Sequence, residues 1–314
     1  MGVSGSKSVV FDAKTDIPSL KDQVILVTGG SSGLGKQSVL DLSRHEPKQI
    51  WLGARNPTKA QAAINEIKTE VPNANIKFIE MDLESLASVR RAAKTLLDDG
   101  PDRLDVLLLN AGIGAVPAST TKEGYELQFG TNHMGHALLT KLLLRPLLLK
   151  TAEQHGTARV IVLSSSGHTM APEGGIIFDS LKTNCDSIST WARYGQSKLA
   201  NVLFAKELAR RYPVLTTASV HPGAVSTNLD TTYKSSSSWL TSSVWRIFFF
   251  LASVDVATGT KNQLWAATSN DVVSGTYYAP VGVTGKGSPL TEDKALAEKL
   301  WEWTEKELEG HAEA

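Results

Sequence analysis

Short apolar runs rich in Val, Ile and Leu alternate along this chain with longer segments whose apolar positions recur every three or four residues. The runs within QVILVTG, QIWLGAR, IKFIEMD, LDVLLLNAG, ARVIVLSSS and TTASVHPG predict strands. Between them, GLGKQSVLDLSRH, TKAQAAINEIKTE, SLASVRRAAKTLLDD, the region around HALLTKLLLRPLLLK and SKLANVLFAKELARRY predict helices. Strands that are apolar on both faces and alternate with helices across short turns imply a parallel sheet covered on both sides. The expectation is therefore an α/β fold, a single Rossmann-type doubly wound domain. No linker or internal repeat divides it, and SSSS at 235–238 is the only low-complexity tract. The segment TEDKALAEKLWEWTEKELEG, within 290–314, predicts an amphipathic helix that packs on the domain with Leu300, Trp301 and Trp303 inward.

Composition narrows the function classes. The chain has 314 residues, 41% hydrophobic and 20% charged, with 32 Lys+Arg against 32 Asp+Glu. That balance leaves no electrostatic footprint for nucleic acid. Cys185 is the only cysteine, which excludes an internal disulfide or a cysteine metal cluster and makes a reducing, cytoplasmic setting the expected one. The start of the chain carries no apolar core of a secretory signal, so none is expected. Gly2 and Ser6 fit the loose N-myristoylation pattern, but only Lys7 supplies nearby charge and one acyl chain anchors marginally. The longest apolar stretches are interrupted by Lys141, Arg145, Pro146 or Arg246 and are too short to span a bilayer.

Two short motifs carry chemistry. The turn TGGSSGLG joins the first predicted strand to its helix. Gly29, Gly33 and Gly35 there suit a tight turn, a close backbone approach and close helix packing around a pyrophosphate. Three residues separate the first two of these glycines and one the last two, unlike the commoner G-x-G-x-x-G, and no Lys-Ser/Thr ending of a phosphate-loop NTPase follows. At the end of the second strand, where an NAD binder carries an acid for the ribose hydroxyl, stands Arg55, a side chain suited to a 2′-phosphate. NADP(H) is thus the expected cofactor. Further on, YGQSK places Tyr194 and Lys198 four residues apart at the start of a helix, on one face with Cβ atoms roughly 5–6 Å apart.

With TGGSSGLG, NAG, TNHMGH, VLSSSG, YGQSK and HPG in order between about residues 23 and 227, the chain resembles a short-chain dehydrogenase/reductase. The branch it resembles contains retinol dehydrogenases and related carbonyl reductases. The resemblance implies a phosphate turn from Thr28 and Gly29 through Ser31, Ser32, Gly33 and Leu34 to Gly35. It implies an adenine contact at Asp82 and Leu83, and cofactor closure by Asn110, Ala111 and Gly112. Catalytic roles fall to Asn132, Ser165, Tyr194 and Lys198, with Tyr194 and Lys198 also touching the cofactor. In the strand-end pattern the second serine is the catalytic one, with Ser164 and Ser166 as neighbours. Pro222, Gly223, Val225 and Thr227 match the loop that holds the nicotinamide.

The chemistry asks for these residue types. Reducing a carbonyl develops negative charge on oxygen, so a donor must meet that oxygen as hydride arrives. Tyr194 suits that role, the Lys198 ammonium is expected to lower its pKa, Ser165 to hold the substrate oxygen, and Asn132 to link the lysine to solvent through a water. His133 and His136 lack a third ligand at matching spacing, so no metal is expected and packing beside the cofactor is. His168 is placed at the active-site mouth or in an ordinary loop, and Cys185 as an inert thiol.

The segment 228–255, with SSSSWLTSSVWRIFFFLA at 235–252, falls where the family carries its variable substrate lid. Trp239, Trp245, Phe248, Phe249 and Phe250 would roof an apolar pocket for a bulky carbonyl or alcohol. A membrane-surface or subunit-contact helix is the rival reading of the same residues. The family also dimerises through helices equivalent to 121–150 and 195–211, so a homodimer is one expectation and core packing of those faces the other. The leading function is an NADP(H)-dependent oxidoreductase on a hydrophobic small molecule. NAD-linked alcohol oxidation, a sugar-nucleotide epimerase and a non-catalytic cofactor-binding scaffold are the alternatives.

Overall fold

All of the runs expected to be strands are strands in the computed structural model, which describes residues 8–223, 225 and 254–311. They are β1 (Val24–Thr28), β2 (Gln49–Ala54), β3 (Ile76–Glu80), β4 (Val106–Leu109), β5 (Arg159–Leu163) and β6 (Thr216–Val220), joined by a short β7 (Thr276–Tyr278). The sheet order is β3-β2-β1-β4-β5-β6-β7 and all neighbouring pairs are parallel. Side chains of a strand alternate between faces, so β1 sends Val24 and Leu26 into one core and Ile25 and Val27 into the other. That division explains why β1 is apolar at each position from Val24 to Val27. Residues 226–253, where the lid and Thr227 fall, lie outside the described residues.

The helices begin where small polar side chains can satisfy free amides. Asn56 caps α2 (Pro57–Glu70) through Lys59 N, and Ser85 caps α3 (Leu86–Asp99) through Ser88 N. The first helix, α1 (Gly33–Ser43), differs: Ser32 stands at its N-cap without a side-chain bond, and no acid sits in its first turn. After β4, α4 (Leu127–Phe129), α5 (Gly135–Leu143) and α6 (Lys150–His155) follow one another through π-helical turns at Gly130–Met134 and Leu144–Leu149. Pro146 lies in the second turn, where its missing N–H removes an ordinary helical bond. Then come α7 (Thr190–Arg211), capped by Ser189, α8 (Val256–Thr268), capped by Asp255, and α9 (Lys294–Glu307), capped by Asp293.

The C-terminal helix packs as its sequence pattern implies. Leu300 is buried, Trp301 stacks on Phe204 of α7 with ring centroids 5.6 Å apart, and Trp303 meets Phe129 and Tyr125 edge-on. Lys141 of α5 pairs with Glu305 at 2.8 Å, and His133 meets the Thr304 hydroxyl at 2.9 Å. Helix α9 thus packs against α5 and α7. Among the described residues, no helix is long and apolar enough to cross a membrane.

Candidate active site

Strand order reverses between β1 and β4: the chain steps outward to β3, then crosses back to β4 and proceeds the other way. A crevice opens at the carboxyl ends of the strands at such a point, and the predicted residues gather around it. The turn after β1 needs its glycines for separate reasons. Gly29 and Gly33 sit at φ +69° and +50°, in the left-handed region, and a Cβ on Gly35 would lie 2.3 Å from Gly29 O. With its first amides left uncapped, α1 points an unsatisfied, positively polarised terminus at this turn. Those features fit a pyrophosphate, so Ser31, Ser32, Gly33 and Leu34 would hold the nicotinamide dinucleotide there.

A buried hydrogen-bonded chain fixes the turn. Thr28 Oγ1 accepts from Asn110 N and Ala111 N, both at 3.0 Å, while Asn110 Nδ2 donates to Thr28 O at 2.8 Å. Gln263 of α8 donates in turn to Asn110 Oδ1 at 3.3 Å and to Ser38 Oγ at 2.5 Å. The Thr28 hydroxyl lies 2.9 Å from His136 Nε2, and His136 Nδ1 lies 3.1 Å from Asn132 O. A carbonyl can only accept, so Nδ1 carries the proton and Nε2 accepts from Thr28. His136 therefore joins the phosphate turn to the helix bearing Asn132, a more specific role than the packing expected of it. His133 is held instead between Phe129 and Phe204. Among the described residues, no three His, Cys, Asp or Glu side chains form a metal-binding group.

The remaining expected cofactor positions follow the carboxyl ends of β2, β3 and β6. Arg55, 67% of its side chain exposed, pairs with Glu84 at 2.9 Å. Asp82 accepts from Glu84 N and Leu83 is buried. Pro222 and Gly223, the latter at φ +92°, follow β6, and Val225 bridges to Val254.

Tyr194 and Lys198 share the inner face of α7, with Lys198 Nζ 5.7 Å from the Tyr194 ring centroid. The ammonium donates to Leu163 O at 3.2 Å, at the end of β5. Burial pulls Lys198 down to about 8. Burial pushes the Tyr194 phenol up, and a hydrogen bond from Ser165 works against that rise. The expectation is that Lys198 lowers the phenol; in this structure burial is the largest influence on Tyr194 and raises it. Ser165 is the serine that faces the phenol. Ser164 is buried and donates to Lys198 O at 2.7 Å, and Ser166 is exposed.

The Asn132 side chain holds the backbone around it. Its Oδ1 accepts from Ile113 N at 2.8 Å, and its Nδ2 donates to Ile113 O and Ser197 Oγ at 2.9 Å each. The side chain is spent on the loop after β4 and on α7, and its backbone carbonyl faces His136. Gly112 makes room here, since a Cβ on it would lie 3.1 Å from Asn132 Oδ1 and 3.2 Å from Lys198 Nζ.

Several residues that no motif marked complete the site. Arg193, next to the tyrosine, is buried with Glu126 at 3.2 Å and also donates to Val116 O and Ile188 O. His168 is buried rather than at the mouth, 2.7 Å from Ser165 O and accepting from Ser288 N at 3.0 Å. Buried polar residues beside a catalytic candidate are a usable signal, but Arg193 and Glu126 are 67 positions apart and only the fold pairs them. Cys185 is buried with its thiol on Ser180 O.

A family model described as short chain dehydrogenase matches residues 23–238. The chain belongs to that family of short-chain dehydrogenases and reductases. A short-chain dehydrogenase/reductase of Aspergillus calidoustus, drtF, is 37% identical over 310 residues, 93% of this chain and 95% of that protein. Human retinol dehydrogenase 13 is 37% identical over 294 residues, 92% of this chain and 84% of its own length. Among solved structures, an uncharacterised Mycobacterium paratuberculosis protein superposes with a TM-score of 0.72 at 31% identity, covering 93% of this chain and 96% of that one. The NADPH-bound carbonyl reductase from chicken fatty liver shares the fold, with a TM-score of 0.58 at 22% identity over 82% of this chain and 96% of that one.

Proposed function

We propose that this oxidoreductase uses NADP(H) to interconvert a ketone or aldehyde and the corresponding alcohol on a hydrophobic small molecule. The observation that carries the reading is the convergence of Ser165, Tyr194 and Lys198 at the carboxyl end of β5, beside an uncapped helix terminus at a glycine turn. When bound, the nicotinamide supplies or takes the hydride. The protein moves the proton. Burial keeps the Tyr194 phenol protonated at neutral pH, which is the form needed to donate to a carbonyl oxygen as charge develops on it. Ser165 offers that oxygen a second hydrogen bond, and Lys198 sets the local field around the phenol. A bulky apolar substrate accords with Met170 and Trp191, both partly exposed, on the segments that carry Ser165 and Tyr194. The name of the human relative accords with it too. A reducing, cytoplasmic setting belongs to this reading.

Cofactor choice rests on Arg55, whose guanidinium can leave Glu84 for a 2′-phosphate because an exposed ion pair of this kind is worth about 0–1 kcal/mol. Replacing Arg55 with Ala is expected to lower kcat/KM for NADPH by roughly 10–100-fold, a loss in the range of one charge-assisted contact, and to leave NADH almost unaffected. Steady-state kinetics with both cofactors checks this. Equal losses with both cofactors would contradict the assignment.

A further inference from the structure

Tyr194 has neighbours that are missing side chains. An ideal Cβ built on Gly114 would lie 2.9 Å from Tyr194 Cε2 and 3.1 Å from Cδ2. One built on Gly167 would lie 2.7 Å from Cε1 and 3.1 Å from Cδ1. The two glycines therefore stand against opposite edges of one phenol ring. Neither is at a positive φ, so neither is glycine because the backbone demands it. The ring demands it. From this we infer that Gly114 and Gly167 form a slot that sets the orientation of the Tyr194 ring, and that both are positioning residues for the proton transfer.

Each wall of the slot is tied down independently. On the Gly114 side, Ile113 is held at both its N–H and its carbonyl by Asn132, and Ala115 N donates to Gln128 Oε1 at 2.9 Å. Val116 O accepts from Thr190 Oγ1 at 2.8 Å and from Arg193 Nη2 at 3.2 Å. These bonds keep Ala115 at φ +55°, a conformation a residue with a Cβ seldom adopts and one that persists only when its surroundings over-determine it. On the other side, Gly167 N donates to Ser165 Oγ at 3.0 Å, and His168 pins the turn between Ser165 O and Ser288 N. Gly195, the residue after the tyrosine, completes the arrangement. A Cβ there would lie 2.5 Å from both Ala171 N and Met170 C, so α7 touches the 167–171 segment backbone to backbone.

A phenol that must meet a substrate oxygen at the moment of hydride transfer gains from such a slot, because a donor free to swing is correctly placed only part of the time. The inference rests on Tyr194 being the proton donor. It also explains why Asn132, Gln128 and Arg193 spend their polar atoms on the 113–116 loop.

The test is Gly114→Ala and Gly167→Ala, each in the wild-type chain and in a Tyr194→Ala background, with kcat, KM, NADPH affinity and thermal unfolding midpoint as readouts. In the wild-type background kcat is expected to fall roughly 10–100-fold, the scale of an ångström-level misplacement, with NADPH affinity unchanged and the unfolding midpoint lowered. In the Tyr194→Ala background the same glycine changes are expected to cost little midpoint, because the ring atoms are gone and the methyl at Gly167 meets only Met170 Cε, the far end of a flexible side chain, at 3.2 Å. That arm reads the slot even if a single variant is too unstable to assay. Full turnover of both glycine variants, or a midpoint loss as large without the ring as with it, would overturn the slot. Turnover retained by Tyr194→Phe would instead overturn the donor assignment on which the slot rests.

Discussion

Replacing Tyr194 with Phe is expected to lower kcat for carbonyl reduction by roughly 10²–10⁴-fold, the usual contribution of a positioned general acid, while NADPH binding survives. The change removes one oxygen and leaves the ring in its place between Gly114 and Gly167. Lys198 keeps its bond to Leu163 O, and the turn from Thr28 to Gly35 is untouched. What is lost is the only phenol facing Ser165 at the end of β5 among the described residues. Cofactor fluorescence titration and steady-state turnover on the same preparation separate binding from chemistry. A variant that turns over at the wild-type rate would remove Tyr194 from the mechanism, and one that no longer binds NADPH would show that the phenol holds cofactor more than it moves a proton.

The second large effect is acid lability. His133 and His136 are buried, and burial pulls both down to about 3, with their mutual repulsion adding for His133 and the Lys198 ammonium for His136. In the unfolded chain each titrates near 6.5. Below that value the unfolded state takes up protons that the folded state refuses, so stability falls with pH by about 1.4 kcal/mol per unit for each ring. The loss continues until the folded-state values near 3 are reached. His221, pulled down to about 4 by burial, adds to the slope. Glu126 and Asp41, pushed up by burial, act in the opposite sense as they protonate in the folded state. Since whole domains are stable by only about 5–15 kcal/mol, unfolding is expected within two or three units below pH 6.5. Urea midpoints measured from pH 8 down to 4 should drop continuously from about 6.5. His133→Phe, which keeps an aromatic ring between Phe129 and Phe204, should make that drop shallower. A midpoint that stays constant to pH 4 would contradict the burial of these rings as neutral groups.

The strands and most helices were legible in the sequence because burial on both faces leaves little choice of side chain. The apolar runs of β1, β2 and β4 are buried at every position. β7 was not legible: its three residues are too few to show a period, and its place is set by pairing with β6. Helix α8 was missed as well, since it is buried on so much of its circumference that little amphipathic stripe remains. The motif residues Thr28, Asn110, Ser165 and Pro222 stand at or just past the carboxyl ends of β1, β4, β5 and β6.

Environment was harder to read than position. No local pattern tells that burial pushes the Tyr194 phenol up, because burial depends on residues brought in from β5 and from the loops at Gly114 and Gly167. Nor does spacing tell that Asn132 holds Ile113, or that Gln263 reaches Asn110 from 153 positions away. Those contacts exist only once strand order places β4 beside β1 and α8 packs against α1 and β4.

The most direct measurement is transfer of deuterium from NADPH labelled on the nicotinamide to a panel of bulky aromatic and isoprenoid ketones and aldehydes, read by mass spectrometry of the alcohols. Deuterium on the carbinol carbon of at least one product, lost in Tyr194→Phe, is the expected result. NADPH bound at saturation with no label transferred to any carbonyl of the panel would contradict the proposed oxidoreductase chemistry.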